Sequence, residues 1–135
     1  MQVQVVAPQH VHQLWPQIEA YFKAAEQYDV GDCTTEQLKL QLVSGAQTLL
    51  VAVDDNKVHG AAALAVMTLP NHRVAQITSM GGKGIVGEDA FNQVVAWAKS
   101  QGATKIRAWA KDAQARLYRQ KVGLIATTTV VEKLI

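Results

Sequence analysis

Residues 47–53, 58–67 and 73–80 are rich in Val, Leu, Ala and Ile, and only short polar breaks separate them. Asp54-Asp55-Asn56 and Pro70-Asn71 supply the breaks, both with turn chemistry. Strands joined by so few residues must run antiparallel, because a parallel return needs a long crossover. The middle of the chain is therefore predicted to be a three-strand meander. It runs directly into Gly81-Gly82-Lys83-Gly84-Ile85-Val86-Gly87 and then into a helix over 88–101. Phe91, Val94, Val95 and Ala98 form the apolar stripe of that helix, and Gly102 ends it.

The flanks follow the same logic. Residues 2–6 alternate as a short strand, and Pro8 suits a helix start. Val11, Leu14, Trp15, Ile18, Phe22 and Ala25 repeat at helical spacing, with Pro16 either kinking this helix or marking its first turn. Thr34 and Gln37 have the spacing of a capping box, Leu38 and Leu42 follow on one face, and Gly45 stops the second helix. Beyond Gly102, residues 105–109 alternate as a strand, Asp112 is placed to cap a helix reaching about Lys121, and Gly123 ends it. Residues 124–134 are rich in β-branched side chains and are predicted to be a last strand. The order is β-α-α-β-β-β-α-β-α-β, an α/β fold with a mixed sheet in a single domain over residues 1–135.

Composition removes several classes of function. A lone cysteine, Cys33, excludes an intrachain disulfide and any multi-thiolate zinc site, and no local feature marks it as activated. His10 and His12 lie two apart, on different faces of a helix, so no metal pair is expected there. No run approaches the ~20 apolar residues of a membrane span, and the first residues carry no basic leader pattern, so a cytoplasmic protein is expected. The net charge of +2 is uneven, −3 over residues 1–80 and +5 over 81–135. That asymmetry fits an anionic ligand meeting the C-terminal half or a solvated basic face. Few aromatics accompany the cations, which weighs against a nucleic-acid surface.

Gly82-Lys83-Gly84-Ile85-Val86-Gly87 spells GxGxxG between a strand and a helix. Glycines there let backbone approach a phosphate beside the free N–H groups of a helix start. A dinucleotide fingerprint needs an acid about 20 residues on, where this chain has Arg107. No Ser or Thr follows Lys83, so it is not a Walker loop either. Glu88 and Asp89 suit the helix dipole by themselves and oppose a phosphate at the same place.

The strand, glycine loop and helix over residues 74–101, with the segment Asp112-Ala113-Gln114-Ala115-Arg116-Leu117-Tyr118 and then Gly123-Leu124, resemble the GCN5-related N-acetyltransferase family across the whole chain. Gly60 sits where that family often has a glycine in its third strand. The departures are Asp112 for asparagine, four residues in place of three between Tyr118 and Gly123, Leu124 for an aromatic, and no Arg or Gln ahead of Gly84 at the usual distance. The C-terminal run Val131-Glu132-Lys133-Leu134 is similar to reduced acetyltransferase-like proteins of tailed bacteriophages.

The resemblance implies acetyl-CoA as cofactor and an amine as acceptor. It implies that Ile77 and Met80 lie along the thioester, that Gly82, Lys83, Gly84 and Gly87 lie near the pyrophosphate, and that Tyr118 and Ser79 serve catalysis, Tyr118 as the acid for the leaving thiolate. A lysine-like amine is only about 0.04% neutral at pH 7, so a base is needed. Residues 74–79 contain no carboxylate, and His59 and His72 are the nearby candidates. The second reading is a catalytically silent version of the fold, a structural or adaptor protein with virion or assembly partners.

Overall fold

The computed structural model describes all residues from Met1 to Ile135. The elements are β1 (Gln2–Val6), α1 (Pro8–Glu26), α2 (Thr35–Val43), β2 (Thr48–Asp54), β3 (Lys57–Thr68), β4 (Arg73–Gly81), α3 (Glu88–Ser100), β5 (Lys105–Ala108) and α4 (Asp112–Val122). One five-stranded sheet has the spatial order β1-β2-β3-β4-β5. All neighbours are antiparallel except β4 and β5. The predicted meander is the centre of this sheet.

Alternation along the strands sorts side chains onto two faces. Leu49, Val51, Ala61 and Ala63 pack under α1 and α2, against Val11, Trp15, Ile18 and Phe22. Leu50, Ala52, Ala62 and Leu64 point the other way, toward Phe91, Val94 and Ala98 of α3. The alanines of β3 keep the sheet thin enough for helices on both faces. Pro16 lies inside a continuous α1 that starts at Pro8, so a helix interior here tolerates the hydrogen bond lost to proline. Thr34 and Gln37 form the expected capping box, with Gln37 N donating to Thr34 Oγ1 at 3.2 Å and Thr34 N to Gln37 Oε1 at 2.9 Å.

Two features depart from the sequence reading. Asp112 is the first residue of α4, and Lys111 occupies the cap. The predicted last strand over 124–134 does not form; these residues join no ladder. Leu124 packs against the core, but Ile125 and Leu134 are 78% and 97% exposed. β-branched composition favours a strand only where a neighbouring strand receives it, and none in this fold does.

One irregularity shapes the site. The β3–β4 register steps from Ala63↔Ser79 to Leu64↔Ile77, leaving Thr78 as an extra residue, a β-bulge. Consequently Ala75 and Ile77 reach the α3 face two apart, while the next core residue, Met80, is three further on. The Thr78 hydroxyl donates to Gln47 Oε1 and lies 3.1 Å from the Ala63 carbonyl.

Candidate active site

β5 pairs with residues 74–77 of β4 and ends at Ala108, while β4 continues to Gly81. The sheet therefore forks. Residues 78–81 have no ladder partner on the β5 side, and their backbone polar groups there are open to other partners. A narrow cleft of about 20 Å³ occupies the fork. Ile77, Ser79 and Met80 wall it from β4, Ala108 and Trp109 from the end of β5, and Tyr118 from α4. The sequence-predicted Ile77, Ser79, Met80 and Tyr118 are thus brought together.

A residue that the sequence reading missed completes the cleft. Asp29 follows α1 and lines the fork beside Tyr28. Burial, and then the charges of Glu26 and Asp32, push its carboxyl up to about 6, with Lys111 opposing. A carboxylate that titrates near neutrality in a cleft is suited to accept a proton. Tyr118 is buried; that burial and then the Asp29 charge raise its phenol above the ordinary value, and the Gln114 side chain offsets part of this. The phenol thus keeps its proton at neutral pH.

The other base candidates lie elsewhere. His72 stands at the opposite end of β4, where its Nδ1 is 3.0 Å from Thr104 Oγ1. His59 belongs to the glycine loop's packing surface, and its carbonyl accepts from Gly84 N at 3.0 Å. Neither lines the cleft.

A second cavity of about 480 Å³ adjoins the fork on the α1–α2 side of the sheet. Asp29, Ile77, Thr78 and Trp109 line both spaces. The larger one adds Asp32 and Cys33 from the loop, Gln37 and Gln41 from α2, and Gln47 and Gln76 near the sheet. Trp109 is 40% exposed, a wall of the site instead of a core residue, and Arg107 lies over its ring at 5.1 Å. Burial and the Asp29 charge raise the Cys33 thiol, so it is unactivated.

The glycine loop packs tightly. A Cβ on Gly82 would stand 2.6 Å from the Gly60 Cα, and φ there is +92°. A Cβ on Gly84 would stand 2.6 Å from the His59 Cβ. Ile85 N donates to Gly82 O at 3.3 Å. These glycines let the loop lie on β3, with Gly60 as the matching gap. Gly87 differs: it is the α3 N-cap, extended at φ −96°, and an added Cβ meets nothing within 4 Å. The first N–H groups of α3 lack intrahelical partners, and the exposed Lys83 lies four residues before Gly87.

No protein-family model matches the sequence, and neither does any curated protein. Solved structures do match in fold. An aminoglycoside acetyltransferase from an uncultured soil metagenomic sample, solved with sisomicin, is 15% identical with a TM-score of 0.72, covering 99% of this chain and 94% of that one. A GNAT family acetyltransferase from Staphylococcus aureus is 14% identical with a TM-score of 0.69, covering 99% and 98%. A predicted acetyltransferase with acetyl-CoA from Clostridium acetobutylicum is 17% identical with a TM-score of 0.67, covering 98% and 95%. The chain therefore has the fold of the GCN5-related N-acetyltransferases.

Proposed function

We propose that the chain is an acetyl-CoA-dependent N-acetyltransferase acting on an amine, with Asp29 as base and Tyr118 as acid. The observation that carries this reading is their shared cleft at the β4–β5 fork. The acceptor amine enters from the larger cavity, which shares Asp29 with the fork. The Asp29 carboxylate takes the proton from the ammonium, freeing the nitrogen lone pair. Backbone N–H groups of residues 78–81 that face away from β3, beyond the end of β5, would offer hydrogen bonds to a developing oxyanion. Tyr118 holds its proton for the leaving sulfur, and the second proton that the nitrogen sheds as the amide forms restores the phenol; Ser79 lines the same cleft from β4. Bound acetyl-CoA would supply the thioester whose C–S bond is exchanged for the new C–N bond.

Ile77 and Met80 are the proposed neighbours of the cofactor's reactive end. Lys83 and the α3 start at Gly87 are proposed for its pyrophosphate, with Gly82 and Gly84 shaping the loop. Support at the fork comes from the strand edge that β5 leaves free beside the narrow cleft. It is weaker at α3, where Glu88 and Asp89 occupy the first turn. That acidic turn favours the second reading, a silent adaptor; its virion form draws on Val131-Glu132-Lys133-Leu134, which stands exposed.

Release of CoA thiol from acetyl-CoA, followed across small amines, tests the proposal. Amine-dependent release supports it. No release with any amine, together with no binding of acetyl-CoA, overturns it in favour of the adaptor.

A further inference from the structure

The larger cavity contains polar groups that the fold does not use. Gln37 is accounted for by the α2 cap and Gln47 by its bond from Thr78. Gln76 is half accounted for. It is 4% exposed, and its Oε1 accepts from Arg107 Nε at 2.7 Å, but its Nε2 has no partner. A buried amide donor left unmade lowers stability unless a bound group accepts from it. Gln76 lines the cavity, so an oxygen-bearing ligand there would supply that acceptor.

The carboxylates point to the same conclusion. Asp29 and Asp32 both line the cavity, and neither forms an ion pair; the molecule's one salt bridge joins Lys23 to Glu36. The one cation that acts on Asp29, Lys111, donates from its Nζ to the Gln27 carbonyl at 3.3 Å. If Asp29 serves the reacting amine, Asp32 is left for a second positive group. Val30, Leu40, Ile77 and Trp109 supply apolar walls for a carbon frame. The volume suits a small molecule, since ligand cavities typically run about 300–1,000 Å³.

Building on the acetyltransferase reading, we infer that the acceptor is a small hydroxylated diamine. Its reacting amine lies at Asp29, its second ammonium at Asp32, and one of its oxygens accepts from Gln76 Nε2. Asp32 and Gln76 are specificity residues and take no part in bond making.

Calorimetric titration of the full chain without acetyl-CoA, at pH 8, isolates this claim from turnover. The probes are 2-deoxystreptamine, cis-1,3-diaminocyclohexane and cyclohexylamine, which share a six-membered ring. Deoxystreptamine should bind best, the bare diamine roughly three- to tenfold more weakly, and the monoamine at least tenfold more weakly again. Asp32→Asn, an exposed position whose change leaves the fold intact, should erase the preference for diamine over monoamine. Equal binding of the two diamines would mean that water alone satisfies Gln76 and would overturn the oxygen contact. No binding of any probe, or an Asp32→Asn protein that still prefers diamines, would overturn the substrate class. If acetyl-CoA binds and another amine is acetylated in that case, the parent reading stands alone. If the diamine binds as predicted while acetyl-CoA does not, the parent reading falls and the cavity assignment survives.

Discussion

The glycine loop and the cavity beside α2 carry opposite kinds of signal. The loop is conspicuous in the sequence, yet packing explains most of it: Gly82 and Gly84 are glycine because His59 and Gly60 leave no room for a side chain. The cavity is silent in the sequence, yet packing does not explain Asp29, Asp32 or the free amide of Gln76. A motif whose residues are consumed by the fold says little about a ligand. Polar groups that the fold leaves unsatisfied say more.

Chemistry gives the sharpest test of that contrast. Asp29→Asn should lower acetyl transfer by about 10²–10⁴-fold, the range for losing a general base. Tyr118→Phe should lower turnover by less, with the KM for acetyl-CoA nearly unchanged. Steady-state kinetics of both variants decides this; an Asp29→Asn enzyme as active as the parent would remove the base from the cavity and break the comparison.

The loop side is tested by stability. Gly84→Ser forces a side chain against His59 and should cost about 1–3 kcal/mol, as overpacking does. Gly87→Ser adds a favoured N-cap in open space and should leave stability unchanged or raise it by a few tenths of a kcal/mol. Urea unfolding of both variants measures the difference. Equal effects would mean that the two glycines do not have separate roles.

A smaller effect than the loss of the base concerns pH. The Asp29 carboxyl is raised to about 6 in the folded protein from an ordinary value of 3.8. The folded state therefore holds the extra proton, and its stabilising contribution is complete below about pH 4 and is lost as pH rises through about 6. Asp29→Asn removes this dependence. It should be more stable relative to the parent at pH 8 than at pH 4, by about 1 kcal/mol once solvent screening of a partly exposed carboxyl is allowed for. Parallel thermal melts at the two pH values check it.

Much of the fold was legible because its signals are local. The stripe from Val11 to Phe22, the Thr34–Gln37 box and the turns of the meander each act over a few residues. Tyr118, Ser79, Ile77 and Met80 could be marked because a resemblance supplied them. Asp29 and Asp32 could not, because they lie between helices, where no periodicity assigns a direction. The Gln76–Arg107 bond depends on a parallel register between segments 31 residues apart. The failed strand over 124–134 teaches the converse, since local β preference did not guarantee a partner.

Thermal unfolding with and without millimolar acetyl-CoA tests the central claim most directly. A ligand at 100 times its Kd stabilises by about 2.7 kcal/mol, which for a chain of this length is a rise in Tm of roughly 10 °C. The account predicts that rise for the parent and a loss of most of it for Gly87→Glu, which places a further negative charge at the α3 start without crowding the loop. An unchanged Tm for the parent would contradict the account and leave the fork as an acetyltransferase frame without its cofactor.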